Sequence, residues 1–425
     1  MFNFKFSKTM KDIQWSFISL LTASLSHLLL RILLGRELGP SGLGLYTLVF
    51  TIYMFGMQFA AFGIGAALTK YVAEFSDDIN KVKEYISAGF FSSIVSGSLI
   101  GIVLFLFSGI ISLNVFRLPE MVELLKITAV CFPFIAIYKA ATGTLNGFRN
   151  MKSYAFLDIS LNASVLLVSL ILVFLLKLCT FGAVLGFVIP TIFFGIFSVI
   201  FLRSNIIFSK TLFKNDIFKS ILNFGVYVVL GNSIAYLYSH IDSLMIGYYL
   251  SETEVGFYAV AAIFIQGVTL IPGAIQKISN PMISKNYGLK NYTNMIVFIK
   301  KVVSKVFLLS LCISLFFVVF GKLLICKLFG NDYLPAYVPL MILLIGYTVH
   351  SSYYSISTFF SSIGKVRLSF KIAVISALLN LILNILLIPK YGIIGAASAT
   401  TISLITMTIL KFGLIRLFIK RGWVF

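Results

Sequence analysis

The chain reads as long apolar runs separated by short basic gaps. Twelve runs reach the roughly 20 residues that a helix needs to cross the ~30 Å hydrocarbon core of a bilayer: 13–34, 43–68, 85–111, 121–143, 154–176, 180–202, 217–249, 255–279, 296–320, 333–362, 368–388 and 391–418. None shows the alternation of a barrel strand. Within lipid only helices or a closed barrel satisfy every backbone polar group. The pattern therefore predicts an all-α integral membrane protein with twelve transmembrane helices. The start, MFNFKFSKTMKDIQW, is basic and then apolar and lacks a small-residue cleavage site, so the first run is expected to be a retained helix.

Composition agrees. The chain is 59% hydrophobic and 11% charged, with a mean hydropathy of +1.02, against roughly 25% charged residues in soluble domains. A net charge of +20 would point to nucleic acid in a soluble protein. Here the basic residues fill the gaps between apolar runs, and no nucleic-acid partner is expected. With the N-terminus placed in the cytoplasm, 26 of the 34 Lys and Arg fall on inner segments. The other eight are Arg31, Arg36, Arg117, Lys126, Lys177, Lys322, Lys327 and Lys390. That bias predicts a multi-pass protein of the cell (cytoplasmic or inner) membrane with both termini inside. Cys131, Cys179, Cys312 and Cys326 are scattered without metal or disulfide spacing and read as apolar fillers.

One phrase is written twice. Residues 34–46, LGRELGPSGLGLY, align with 246–258, IGYYLSETEVGFY, placing Gly35 on Gly247, Leu38 on Leu250, Gly44 on Gly256 and Tyr46 on Tyr258. GFRNMKSY (147–154) before span five is echoed by IGKVRLSF (363–370) before span eleven. FGAVLG (181–186) and IGAASA (394–399) open spans six and twelve. Six spans per half means that each half starts inside, so the repeats are parallel, related by a pseudo-two-fold axis along the membrane normal. The expected organisation is an N-terminal six-helix lobe (1–202), a basic cytoplasmic linker (203–216) and a C-terminal six-helix lobe (217–425). Rocking two such lobes alternately opens the surface between them to either side, which is the logic of secondary transport. No GxxxxGK[ST] loop is present, so no ATPase engine is expected.

GRELGPSGLGLY (35–46) and HIDSLMIGYYLSETEVGFYAVA (240–261) resemble the polysaccharide transporter family, the Wzx-type O-antigen and oligosaccharide flippases, within the MATE-like MOP exporter superfamily. The resemblance runs the whole chain and is most specific at Ile241–Asp242, Ile246–Gly247 and the Gly–Tyr turn after them. It implies a non-enzymatic carrier that moves a polyprenyl-diphosphate-linked oligosaccharide across the membrane for cell-surface polysaccharide synthesis. It also implies membrane lipids, a polysaccharide polymerase and glycosyltransferases as partners. No cofactor or metal is expected, while H+ or Na+ is open as a coupling ion.

Ionisable groups inside the membrane are costly and are functional candidates by default. Arg31 and His27 share a face of span one by i, i+4 spacing. They either present a cationic face to a cavity, where a diphosphate would bind, or Arg31 snorkels to the outer interface. Asp242, late in span seven, either binds a coupling cation, pairs with Arg31 from the other lobe, or makes a bond internal to its own lobe. His240 lies two residues away, roughly 200° round the helix, and cannot share its face. His27, His240 and His350 are either satisfied buried imidazoles or proton carriers. Lys139 and Lys371 are cavity candidates or inner-interface anchors, and Asp158 is a lesser candidate. Gln58, Asn232, Gln266, Asn380 and Asn384 are neutral polar residues in spans, with Asn380 and Asn384 on one face; such groups often join helices. Pro133 and Pro272 are expected to kink spans four and eight, and GSLIG (97–101) and GAVLG (182–186) to allow close helix packing.

Three alternatives compete with the oligosaccharide flippase. A cation-coupled small-molecule exporter would need membrane acids, and the chain has only 14 acidic residues, mostly in loops. A membrane glycosyltransferase would need an acid-bearing metal loop, and Asp77–Asp78 lie among cytoplasmic lysines. A peptidoglycan-precursor flippase has a similar build.

Overall fold

The computed structural model describes residues 8–207 and 215–420. Lys5, Lys210, Lys214 and Arg421 of the basic tally, and residues 208–214 of the expected linker, lie outside the described residues. Among the described residues there is no strand. The helices are α1 (Lys8–Ala61), α2 (Ile64–Glu74), α3 (Ile79–Gly109), α4 (Met121–Val130), α5 (Phe132–Gly147), α6 (Met151–Leu170), α7 (Cys179–Phe201), α8 (Asn215–Tyr249), α9 (Glu252–Gly288), α10 (Tyr292–Leu328), α11 (Tyr337–Tyr354), α12 (Phe359–Ser362) and α13 (Val366–Lys420).

Nine helical stretches among the described residues are long and apolar enough to cross a membrane, and the bent pair α4–α5 makes a tenth. Two of them, Lys11–Glu74 with 64 residues and Val366–Lys420 with 55, would each be more than ~80 Å long if straight, enough for two crossings. Each contains a glycine with positive φ near its middle, Gly39 (φ 67°) and Gly392 (φ 59°). A side-chain-bearing residue adopts such angles only at a cost. Both glycines fall at or beside the expected gaps between spans one and two and between eleven and twelve, so the twelve expected spans are all present.

Three spans are not straight. Span four bends by 43° between α4 and α5, with Pro133 in the first turn of α5, as its missing N–H requires. Pro272, by contrast, sits within α9, which runs from Glu252 to Gly288 without a break. The apolar pattern predicted unbroken helices over 43–68 and 333–362. The first breaks at Phe62–Gly63, both with positive φ, where Gly63 packs so close to Gly225 that a Cβ would lie 2.8 Å from the Gly225 carbonyl oxygen. The second breaks between α11 and α12. There Gln276 bonds Ser357, Asn280 bonds Thr358, and the Tyr353 hydroxyl donates to the Ser357 carbonyl at 3.0 Å. The last of these satisfies a backbone carbonyl at the break, a condition for irregular backbone at membrane depth, and the other two tie the break to α9.

The small-residue motifs pack as expected. A Cβ on Gly97 would lie 2.6 Å from the Pro133 Cα, and one on Gly186 would lie 2.7 Å from the Ser169 Cα. Two ion pairs respect the alternation of sides. Arg149 meets Asp12 at 3.0 Å, joining two segments expected inside, and Lys177 meets Glu37 at 2.7 Å, joining two expected outside.

The chain divides by packing into two compact units, Met1–His240 and Ile241–Phe425. The division falls within α8, so the first part of the seventh span packs with unit 1.

Candidate functional site

Unit 1 encloses a cavity of about 430 Å³, within the range of small-ligand sites. Its walls come from the end of α1, from α2, α5 and α6, and from the first part of α8. Lys139 is the one charged residue in the lining, and Gln58, Thr69, Thr142, Asn146, Tyr154 and Asn232 supply amides and hydroxyls. The helix break at Phe62–Gly63 lies in its wall, with Ala61 and Gly63 both in the lining. Opposite, α2 and α5 meet through glycines. A Cβ on Gly143 would lie 2.1 Å from the Gly65 carbonyl oxygen, and one on Gly65 would lie 2.5 Å from the Lys139 carbonyl oxygen. The Thr69 hydroxyl bridges the same contact, 2.9 Å from both the Gly65 and the Gly143 carbonyl oxygens. Lys139 is therefore held on a rigid helix, half-buried, with its side chain in the cavity wall. No carboxylate lines the cavity.

Unit 2 holds the second cluster. The buried Asp242 carboxylate accepts from the Tyr258 hydroxyl (2.7 Å) and the Thr400 hydroxyl on one oxygen. On the other it accepts from Asn384 Nδ2 (2.7 Å) and Asn380 Nδ2 (3.5 Å). Asn384 Nδ2 also reaches Asn380 Oδ1 at 3.2 Å, and Asn380 Nδ2 reaches Thr400 Oγ1 at 3.1 Å. All four donors are neutral and all belong to unit 2. Of the three readings of Asp242, a lobe-internal network is what its hydrogen bonds form. Among the described residues no basic side chain pairs with it. One polar atom is left over: Asn384 Oδ1 is buried without a hydrogen-bond partner.

Arg31 is half-buried on α1, with Tyr46 and Tyr236 close to it. No carboxylate among the described residues lies within ion-pair range of it. His27 packs its ring 6.2 Å from Phe50, which stacks on Tyr46 at 5.7 Å. Tyr236 donates to the Thr51 carbonyl at 3.3 Å. His240 stacks on Tyr236 at 4.1 Å, with Nδ1 3.1 Å from the Tyr236 carbonyl oxygen. His27, Arg31 and His240 thus belong to one aromatic-lined group in unit 1, while Asp242 points into unit 2. Lys371 is exposed, about 14 Å of helix rise from Asn380, and is not part of the Asp242 cluster. Asp158 accepts from Ser19 at 2.5 Å and from Tyr138 at 3.4 Å.

Tyr258 and Thr400 were not singled out by sequence reasoning. Tyr258 carried a signal, since it is the last match of the repeated phrase. Thr400 carried none, because hydroxyls are common in spans. Lys411 was likewise missed. It is buried, 4.8 Å over the Tyr353 ring and 3.5 Å from Ser369 Oγ. His350 Nδ1 lies 3.1 Å from Thr408 Oγ1, a satisfied imidazole.

A family model described as polysaccharide biosynthesis protein matches residues 9–287, and one described as MatE matches residues 228–386. An uncharacterized membrane protein of Methanocaldococcus jannaschii is 26% identical, covering 98% of this chain and 87% of the relative. A Shigella flexneri protein named for O-antigen transport is 24% identical, covering 88% of this chain and 89% of its own. Among solved structures, a lipid II flippase in an inward closed conformation superposes with a TM-score of 0.80 at 17% identity, covering 95% of this chain and 87% of that one. That likeness shows the fold.

Proposed function

The chain belongs to the family of polysaccharide biosynthesis proteins, and on that premise we propose that it is a flippase for a polyprenyl-diphosphate-linked oligosaccharide, working by alternating access in the cytoplasmic membrane with both termini inside. The observation that carries this reading is the unit 1 cavity. A diphosphate crossing an apolar medium needs its charge paired, and a lysine supplies a cation with three donors. Sugar hydroxyls need exchangeable donors and acceptors, which Gln58, Asn146 and Asn232 supply from the same walls. An exporter of organic cations needs a carboxylate in the lining; the wall holds none, and Asp158, close to Lys139 and Tyr154, accepts from Ser19 and Tyr138 instead. A polymerase and glycosyltransferases are the proposed partners, because they would supply and consume such a substrate.

We further propose that Asp242 takes the coupling cation, H+ or Na+. A buried carboxylate without a basic partner must be balanced by a proton or an ion. Oxygens of Asp242, Asn380 and Thr400 lie within one hydrogen-bonded network, and the buried, unpartnered Asn384 Oδ1 beside it is an acceptor that a cation would use and a proton on Asp242 would not require.

The test is flipping of a labelled lipid-linked oligosaccharide in proteoliposomes. Losing the Lys139 charge removes a charge-assisted bond worth about 1.5–3 kcal/mol, so Lys139→Gln should raise the half-saturating substrate concentration about 10- to 100-fold. Unchanged saturation in this variant, with normal protein levels, would remove the cavity from the mechanism. Equal transport of a lipid-linked peptidoglycan precursor would favour that sister activity.

A further inference from the structure

A groove in unit 2 runs between the start of α10 and the end of α13. Its volume is about 420 Å³. On α10 the lining residues are Ile296, Ile299, Lys300 and Val303, and on α13 they are Phe412, Ile415, Arg416, Ile419 and Lys420. Both sets follow i, i+3, i+4, i+7 spacing, one stripe per helix. Ile299 and Ile415 are buried and form the floor, continuous with the core around Tyr353 and Phe418. Lys300, Arg416 and Lys420 are exposed at the rim. Among the described residues no carboxylate pairs with any of the three.

The two helices run in opposite directions, so Val303 and Phe412 form the deep end and Ile296 and Lys420 the shallow end. These residues lie where the ninth and twelfth spans meet the membrane surface. The groove is thus apolar toward the hydrocarbon and cationic at headgroup level. We propose that it is a binding site for an anionic phospholipid. The headgroup phosphate sits among Lys300, Arg416 and Lys420, and an acyl chain lies over Val303, Phe412 and Ile415. Charge complementarity selects this occupant. A zwitterionic lipid leaves three cations to share one neutralised phosphate, and a second copy of this groove would set three cations against three. Basic pockets between spanning helices are the form that anionic lipid sites take in membranes.

The test uses the purified full chain in detergent, titrated with phosphatidylglycerol or phosphatidylcholine and read by native mass spectrometry. With each interfacial cation contributing about a factor of five, phosphatidylglycerol should bind about a hundredfold more tightly than phosphatidylcholine. Replacing Lys300, Arg416 and Lys420 by Gln should abolish that preference. Replacing Lys277, Lys285 and Lys290, equally exposed in the same unit, should leave it. Val303→Trp fills the groove at constant charge and should also weaken binding. Three results would each overturn the proposal: equal loss in both triple variants, no effect of Val303→Trp, or tighter capture of polyprenyl phosphate than of phosphatidylglycerol. All variants are checked by thermal unfolding, since the rim residues are exposed and their loss should leave the fold intact.

Discussion

Asp242 offers the most direct test of how energy enters the transport cycle. Four neutral donors converge on its two oxygens: Tyr258 and Thr400 on one, Asn380 and Asn384 on the other. In Asp242→Asn one oxygen remains and the other becomes an NH2 donor. The amide can keep its oxygen toward Asn380 and Asn384, whose NH2 groups can only donate. It then turns its NH2 toward Tyr258 and Thr400, whose hydroxyls can rotate to accept. The structural loss is about one or two hydrogen bonds, or about 1–3 kcal/mol, which should leave a folded protein. Asp242→Ala instead strands four donors at about 1–3 kcal/mol each, enough to prevent folding. The cation response separates these structural costs from function. An ion at a hundred times its dissociation constant stabilises the native state by about 2.7 kcal/mol. Thermal unfolding of purified wild type in NaCl against choline chloride, at fixed ionic strength and at two pH values, reads that stabilisation. The wild type should be stabilised by Na+ or by acid, and Asp242→Asn by neither, with transport lost in the same variant. A folded Asp242→Asn protein that still transports and keeps the wild-type cation response would refute the assignment.

Other outcomes follow from the same geometry. Arg31 lies outside the Lys139 lining and tests a second phosphate contact: Arg31→Ala should abolish flipping while the protein still reaches the membrane, and Arg31→Lys should retain part of it, because the charge stays and the planar fork is lost; near-normal transport by Arg31→Ala would mean that the arginine only snorkels. Gly143→Leu drives a side chain into the Gly65 backbone and should cost at least ~1–3 kcal/mol, read as a lower unfolding temperature. Gly231→Ala, with open space around it, should stay within ~0.5 kcal/mol; equal effects would refute the tight α2–α5 contact. A reporter joined after Phe425 should be active in the cytoplasm and one inserted within 250–254 outside, and a reversed pattern would refute the orientation.

How much of this was legible in the chain follows from what each feature depends on. The twelve spans were legible because lipid imposes a length and a polarity on each of them. The breaks at Phe62–Gly63 and Ser355–Thr358 were not. The first depends on Gly225, over 160 residues away, and the second on Gln276 and Asn280 from another helix, so neither leaves a local mark. Asn380 and Asn384 could be paired by i, i+4 spacing, but their acceptor lies on a helix some 140 residues earlier. Lys139 could equally have been an interface anchor. Its neighbours Gln58, Thr69 and Asn232 come from three other helices, and only packing brings them to one cavity. Lys411 reads as one more inner-loop cation, because burial against Tyr353 is a property of the fold.

The repeated phrase links the two clusters. At its 212-residue offset Tyr46 corresponds to Tyr258, and Asp242 corresponds to position 30, one residue before Arg31. Each half therefore carries an ionisable residue late in its first span and a buried tyrosine early in its second. In unit 2 the Tyr258 hydroxyl donates to Asp242 at 2.7 Å. In unit 1 Tyr46 is buried close to Arg31. A phenol hydroxyl is able both to donate to a carboxylate and to accept from a guanidinium. A tyrosine at this position can consequently persist while its partner changes sign. Under the proposed function the two halves divide the work, the first holding the phosphate at Lys139 and the second the coupling cation at Asp242. Under the proposed mechanism that division is what a flippase needs, since two sites of like sign would compete for one kind of ligand and leave the other without a counter-charge.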